Sequence, residues 1–123
     1  MSANQKKILL VDDEPEVLEH LSNILQRNGF EVISTANGTE VIELVKKEAP
    51  DLIILDILLP DKPGDEIAGE LTEDPDTAGI PIIFLTGVVT KEEIASAEKC
   101  GRHYVLAKPV TKETILSTIE KVL

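Results

Sequence analysis

Aromatic and sulfur-containing side chains are almost missing from this sequence of 123 residues. Only 2% of the residues are aromatic and tryptophan is absent, so aliphatic side chains must fill the core. Aliphatic runs are typical of parallel strands that are covered on both faces of the sheet. Cys100 is the single cysteine, which excludes an intrachain disulfide and a thiolate metal cluster. We interpret it as a small buried hydrophobic residue.

Basic residues are also scarce. The chain has 12 lysines and arginines against 23 acidic residues, for a formal net charge of -11. Such an excess disfavours direct binding to nucleic acid or to anionic lipid. The polar first residues lead into a run of only four apolar residues, which is too short for a signal peptide, and no stretch approaches a membrane span. We therefore expect a cytoplasmic protein with no direct nucleic-acid or membrane partner.

Short aliphatic runs alternate with amphipathic segments five times along the chain. The predicted strands cover residues 8–11, 30–35, 52–55, 82–85 and 104–106, and the predicted helices cover about 14–28, 37–49, 65–72, 90–100 and 111–122. This alternation predicts right-handed βαβ units in one domain, residues 1–123. The expected fold is α/β and flavodoxin-like, with a five-stranded parallel sheet in the order 2-1-3-4-5 and helices on both faces.

Polar residues follow four of the predicted strands, at the point where each strand ends. They are Asp12 and Asp13, Asp56, Thr86, and Lys108. The carboxyl ends of parallel strands share one edge of the sheet, so we expect these side chains to converge. Three carboxylates in one crevice repel each other unless a cation neutralises them, and Mg²⁺ is a suitable hard cation.

The chemistry of this group of residues favours phosphoryl transfer. Lys108 can pair with a phosphoryl oxygen, Thr86 can donate a hydrogen bond to the same group, and Asp56 is the best candidate nucleophile. A plainer alternative stays open for single residues: Asp12 or Asp13 could merely cap the first helix, and Lys108 could merely pair with an acid.

The order and spacing of these motifs resemble those of response-regulator receiver domains over essentially the whole chain. The matching segments are residues 8–14 (ILLVDDE), residues 56–60 (DILLP) with Gly64 eight residues after Asp56, Thr86-Gly87, and Lys108-Pro109. The resemblance implies that Asp56 accepts a phosphoryl group and that Thr86 and Lys108 bind its oxygens. It also implies a cis peptide bond before Pro109.

The resemblance further implies a Mg²⁺ site and signalling partners. Asp13 and Asp56 would be direct ligands, Asp12 would act mainly through water, and the carbonyl of Leu58 would complete the protein ligands. The phosphodonor would be a histidine kinase or phosphotransfer protein, and the output a downstream protein or an output domain outside this chain. The protein would then be a switch with self-catalysed phosphoryl transfer and autodephosphorylation. Dimerisation through the fourth and fifth helices stays open, because no residue pattern demands it.

Two features depart from the usual receiver pattern. The position of the aromatic switch residue falls on Val105, whereas the aromatic residue, Tyr104, lies one residue earlier, where a regular strand would point it to the opposite face. Either the fifth strand is locally re-registered, or Tyr104 is not the switch residue. The positions that tune dephosphorylation are Leu58 and Val88, and neither apolar side chain can orient an attacking water. We therefore predict a long-lived phosphorylated form.

Three other functions fit the sequence less well. A hydrolase of the haloacid-dehalogenase type needs an acid two residues after the nucleophile, where this chain has Leu58. A receiver-like scaffold that no longer accepts phosphate usually lacks a key residue, and none is missing. A flavin site would need a phosphate-binding loop after the first strand, and Asp12-Asp13-Glu14 would repel a phosphate.

Overall fold

The structure is a computed structural model that describes residues 5–87 and 104–123. Its elements, in chain order, are β1 (Lys7–Val11), α1 (Pro15–Arg27), β2 (Glu31–Thr35), a 3₁₀ turn (Gly38–Glu40), α2 (Val41–Glu48), β3 (Leu52–Asp56), α3 (Gly64–Glu73), β4 (Ile82–Thr86), β5 (Tyr104–Ala107) and the C-terminal helix α4 (Lys112–Val122). The helix predicted over residues 90–100, together with Val88 and Cys100, lies outside the described residues. Every other predicted element is present, with ends that differ by a few residues.

The five strands form one parallel sheet in the order β2-β1-β3-β4-β5, as predicted. All the residues of β3 and β4 are buried, as are four of the five residues of β1. Full burial explains why these three strands are continuous aliphatic runs. The chain order reverses at β1 and β3, so the crevice between their carboxyl ends is where this fold places ligands.

Among the described residues, two helices pack against each face of the sheet, because successive side chains of a strand point to opposite faces. On one face, Leu9, Ile53 and Phe84 pack with buried residues of α2 and α3. On the other face, alternate residues of the same strands pack with α1 and α4, through Leu21, Leu25, Ile115 and Ile119. Helices therefore cover both faces of the sheet, as predicted. Within the described residues, no helix is long and apolar enough to cross a membrane.

Several helix ends carry residues that are typical of such positions. Pro15 occupies the first position of α1, Gly29 takes a positive φ of 88° just beyond its end, and Thr111 Oγ1 accepts a hydrogen bond from Thr114 N at 3.2 Å to cap α4. Asn37 precedes the turn that leads into α2, but its side chain makes no capping hydrogen bond there. The carboxylate of Asp61, from a distant loop, takes that place, as described below.

The fifth strand is paired regularly, and its register answers the question about the aromatic residue. Val105 lies beside Phe84 and packs against the core under α2 and α3, whereas Tyr104 lies beside Ile83, which belongs to the opposite core. Tyr104 is 40% exposed. The usual switch position is therefore occupied by a valine, and the neighbouring tyrosine is on the other face.

Candidate phosphoryl-acceptor and cation site

Backbone hydrogen bonds bring the ends of the four predicted strands to one edge of the sheet. Ile57 N donates to Leu85 O at 3.0 Å, which sets the residues after β3 beside the end of β4. Lys108 N donates to Thr86 O at 2.9 Å, which sets Lys108 beside β4 in turn. As predicted, the acids of β1 and β3, the threonine of β4 and the lysine after β5 lie at the same edge. The Lys108–Pro109 bond is cis.

The ammonium group of Lys108 joins three carboxylates. Its Nζ lies 2.8 Å from Asp12 Oδ2, 2.8 Å from Glu14 Oε1 and 3.1 Å from Asp56 Oδ2. The contacts with Glu14 and Asp56 are hydrogen bonds. The approach to Asp12 Oδ2 is an ion-pair contact outside hydrogen-bond angles, so this buried oxygen has no hydrogen-bond donor among the described residues.

The same contacts shift two pKa values in this group. Burial raises the pKa of the Asp12 carboxyl, and the negative charge of Asp56 adds to the shift, while Lys108 and the Glu14 backbone N–H oppose it. Burial alone would lower the pKa of Lys108, but its three carboxylate partners raise the pKa above the ordinary value. Lys108 is therefore a permanent cation at neutral pH, and it neutralises only part of the acidic charge around it.

Asp56 is nearly inaccessible at 3% exposure, although it ends a strand. Its Oδ1 accepts a hydrogen bond from Leu58 N at 3.0 Å and its Oδ2 accepts one from Lys108 Nζ at 3.1 Å. Thr86 is also buried, at 2% exposure. Leu58, by contrast, exposes 61% of its surface directly beside the acceptor. The Asp56 carboxylate is thus buried and held in one orientation, while the neighbouring residue Leu58 is exposed.

Four carboxylates at this edge could hold a metal ion. One oxygen each from Asp12, Asp13, Glu14 and Asp56 lies within 4.8 Å of all the others. Carboxylate oxygens are the ligands that Mg²⁺ prefers. Two observations show that the residues fit such an ion: Asp12 Oδ2 is buried without a hydrogen-bond donor, and one lysine cannot balance four acids. Asp12 does not cap α1; its Oδ1 accepts a hydrogen bond from Glu14 N at 2.9 Å.

The loop after Asp56 is held in place by a glycine and by an aspartate. Gly64 N donates to Ile57 O at 2.8 Å, and a Cβ on Gly64 would lie 2.8 Å from Ile57 Cα, which is too close for any side chain. The carboxylate of Asp61 accepts hydrogen bonds from Gly38 N at 3.0 Å and from Thr39 N at 3.1 Å. These contacts tie the loop to the turn that leads into α2 and hold the pKa of the Asp61 carboxyl below its usual range.

Two residues of this neighbourhood escaped sequence reasoning. From the sequence, Glu14 is named only as part of an acidic run, and Asp61 is not singled out. Glu14 could have been suspected from its place next to two site acids. Asp61 carried no signal, because its partners Gly38 and Thr39 are more than 20 positions away in the chain.

Comparison with known proteins assigns the family. The family model described as "Response regulator receiver domain" matches residues 8–120. Protein PilH of Pseudomonas aeruginosa is 34% identical over 117 residues, which are 95% of this chain and 97% of that protein. The response regulator DivK of Brucella anthropi is 29% identical, over 96% of each chain. The crystal structure of the chemotaxis response regulator CheY4 of Vibrio cholerae superposes with a TM-score of 0.90 at 31% identity, over 98% of this chain and 100% of that one.

The chain belongs to the response regulator receiver domain family. Its function is that of a phosphorylatable receiver in two-component signalling, and receiver domains act as signalling switches. Some relatives are longer: this chain covers 51% of the transcriptional regulatory protein GltR of Pseudomonas aeruginosa.

Proposed function

We propose that Asp56 is the residue that accepts the phosphoryl group, with Thr86 and Lys108 as its catalytic partners. The observation that carries this assignment is the buried Asp56 carboxylate, fixed between Leu58 N at 3.0 Å and Lys108 Nζ at 3.1 Å. A nucleophile held in one orientation loses little freedom on reaching the transition state. Asp12 is also buried and accepts a backbone hydrogen bond, but its contact with Lys108 lies outside hydrogen-bond angles, and Asp13 and Glu14 are exposed.

The acidic group is proposed to hold Mg²⁺ through Asp13, Asp56 and the backbone carbonyl of Leu58, with Asp12 acting mainly through water. The close approach of the carboxylate oxygens and the buried Asp12 Oδ2, which accepts no hydrogen bond from the described residues, support this assignment. When bound, the ion neutralises the acids and the negative charge of the phosphoryl oxygens.

The residues of the chain supply the rest of the chemistry. An Asp56 carboxylate oxygen forms a bond to phosphorus while the bond from phosphorus to the donor atom breaks, and the leaving group departs with the electron pair. Lys108 stays protonated and pairs with a phosphoryl oxygen, and the Thr86 hydroxyl donates to another. Neither residue transfers a proton in this step, so their contribution is positioning and charge stabilisation.

Residues 1–123 are proposed to form one receiver domain that exchanges its phosphoryl group with a protein partner. Receiver domains work with histidine kinases or phosphotransfer proteins and with downstream targets, and we assign the same classes of partner here. The exchange belongs in the cytoplasm, where ATP supplies the phosphoryl group. The response uses no aromatic residue on the α2 and α3 face of β5, because Val105 occupies that position.

We propose that the phosphorylated form is long-lived and that the protein does not hydrolyse a phosphorylated substrate in multiple turnovers. Two residues after Asp56, where a hydrolase needs an acid, the exposed side chain is that of Leu58. A leucine there can neither take a proton from a water nor orient it.

Intact-mass measurement after incubation with acetyl phosphate and Mg²⁺ tests the proposal. We expect the unmodified chain to gain the mass of one phosphoryl group and the Asp56→Asn variant to gain none. The gain should disappear when the Mg²⁺ is chelated. An equal gain in both proteins would show that another residue is modified, and no gain in the unmodified chain would contradict the proposal. Sustained multiple turnover of a phosphorylated substrate would favour a hydrolase instead.

A further inference from the structure

Glu14 is the most accessible of the three carboxylates that hold Lys108. Its side chain is 58% exposed, whereas that of Asp12 is fully buried and that of Asp56 is 4% exposed. Glu14 occupies the N-cap position of α1, yet its side chain makes no capping hydrogen bond. The carboxylate instead reaches across to Lys108, a residue 94 positions away in the chain.

The ammonium group of Lys108 has three hydrogens and three carboxylate neighbours. A phosphoryl oxygen would be a fourth anionic neighbour of an ammonium group that donates at most three hydrogen bonds, so it binds more easily if one of the three carboxylates yields its place. Asp56 carries the incoming group, and Asp12 is buried and fixed by the backbone N–H of Glu14. Glu14 is the partner that can move, because an exposed ion pair contributes little to stability and its side chain can turn into water.

We propose that Glu14 is a positioning residue that holds Lys108 in the unphosphorylated protein and slows the phosphorylation of Asp56. This inference depends on the proposed roles of Asp56 and Lys108. Glu14 acts in two ways: it holds one of the three ammonium hydrogens of Lys108, and its negative charge repels an anionic donor. In the reaction with acetyl phosphate, the bond from phosphorus to the acetate oxygen breaks, the bond to Asp56 forms, and acetate leaves with the electron pair. The proton count of Lys108 does not change.

The Glu14→Gln variant tests the proposal, because it keeps the shape of the side chain and removes its charge. We expect the rate constant for phosphorylation by acetyl phosphate at saturating Mg²⁺ to rise about two- to fivefold, the range that an exposed ion pair allows. Glu16→Gln is the matched control. Glu16 is exposed, lies in the first turn of α1 and lines the same groove beside Lys108, but the ion pairs described for Lys108 do not include it. This variant should change the rate by less than half as much.

A second measurement separates an effect through Lys108 from a general effect of charge. In a double-mutant cycle with Lys108→Gln, the acceleration by Glu14→Gln should fall to the level of the Glu16→Gln control. Thermal denaturation of each variant checks that the fold is intact. Equal acceleration by Glu14→Gln and Glu16→Gln, or an acceleration that persists without Lys108, would overturn the proposal.

Calorimetric titration with Mg²⁺ distinguishes the remaining role that the geometry allows, which is direct metal ligation by Glu14. The proposal predicts that Glu14→Gln leaves the Mg²⁺ dissociation constant within about threefold of the unmodified value. Weaker Mg²⁺ binding together with slower phosphorylation would show that Glu14 is a ligand and would overturn the proposal. If the unmodified chain accepts no phosphoryl group, the assignment of Asp56 fails; if it does and Glu14→Gln is no faster, only the role of Glu14 fails.

Discussion

The site has two regions that differ in exposure although they lie within a few ångströms of each other. The inner half consists of Asp12, Asp56, Thr86 and Lys108, whose side chains are buried or nearly so. The rim consists of Asp13, Glu14 and Leu58, which are exposed. The inner residues stand at strand ends and are held by the sheet, whereas the rim residues are free to exchange partners with water.

This difference indicates a division of labour. Buried charges interact strongly and in one geometry, so the inner half should determine whether phosphoryl transfer occurs at all. Exposed groups contribute little to stability, so the rim can change during evolution and should set rates and ion affinity. Substitutions in the two regions should therefore have effects of different size.

The largest effect is expected in the inner half, from Lys108→Gln. Loss of this fixed cation should slow phosphorylation of Asp56 by about 10²-fold, the usual cost of removing one group that stabilises charge in the transition state. A time course of intact mass with acetyl phosphate measures the rate. Lys112→Gln, at an exposed position of α4, is the control and should react at the unmodified rate. A decrease of less than about threefold for Lys108→Gln would contradict the proposed catalytic role of Lys108.

At the rim, Asp13→Asn should mainly affect the ion. Loss of a side chain that only orients a metal ligand already weakens metal binding by about tenfold. Loss of Asp13, a direct ligand in this proposal, should weaken Mg²⁺ binding by at least that factor. In a chelating buffer the same variant should be more stable than the unmodified chain, by up to about 1 kcal/mol, because one of the repelling carboxylates is neutralised. Calorimetric titration and thermal denaturation measure the two effects. Asp65→Asn, an exposed acid in the first turn of α3, is the control. Unchanged Mg²⁺ affinity would refute the role of Asp13.

A smaller effect on rate is expected from Leu58→Asn. A positioned general acid or base accelerates a reaction by about 10² to 10⁴-fold. The exposed amide of Leu58→Asn can only orient water, so it should accelerate dephosphorylation by less, about threefold to tenfold. The decay of the phosphorylated form after removal of the donor gives the rate. Leu58→Met keeps an apolar side chain and should decay like the unmodified protein. If Leu58→Asn decays at the same rate too, a leucine at the rim is not the reason for a long lifetime.

The smallest effect is expected from Asp61→Ala, which removes the tie between the acceptor loop and the start of α2. The Tm should decrease slightly at neutral pH. The backbone N–H groups of Thr39 and Gly38 lower the pKa of Asp61 in the folded protein. The Asp61 carboxylate therefore contributes its full stabilisation at a pH above its ordinary pKa of 3.8, and this stabilisation disappears as the pH falls through the lower pKa of the folded protein. The difference in Tm between Asp61→Ala and the unmodified chain should shrink over that acidic range. A constant difference across the range would show that Asp61 acts without its charge.

Sequence reasoning reached the inner half of the site more completely than the rim. Asp12, Asp56, Thr86 and Lys108 directly follow aliphatic runs, and the topology of a parallel sheet brings such positions together. The order of the strands and the placement of helices on both faces followed from the same alternation. These features depend on local patterns and on general rules of topology.

The rest depends on contacts between distant parts of the chain, which no local pattern encodes. The sequence contains Glu14 and Asp61, but their partners, Lys108 and the backbone of Gly38 and Thr39, are known only from the fold. The alternative that Asp12 caps α1 does not apply, because the N-cap residue is Glu14 and the Asp12 Oδ1 accepts a hydrogen bond from Glu14 N, within the turn that precedes α1. The register of β5 likewise had to be seen before Tyr104 could be excluded from the face where Val105 packs.

Chemical trapping of the phosphorylated residue tests the central claim most directly. After reaction with acetyl phosphate and Mg²⁺, borohydride reduces an aspartyl phosphate to homoserine, and peptide mass spectrometry then locates the modified position. The account predicts homoserine at position 56 alone, and none when Mg²⁺ is chelated. Homoserine at position 12 or 13, or a phosphorylated chain with an unmodified Asp56, would contradict it.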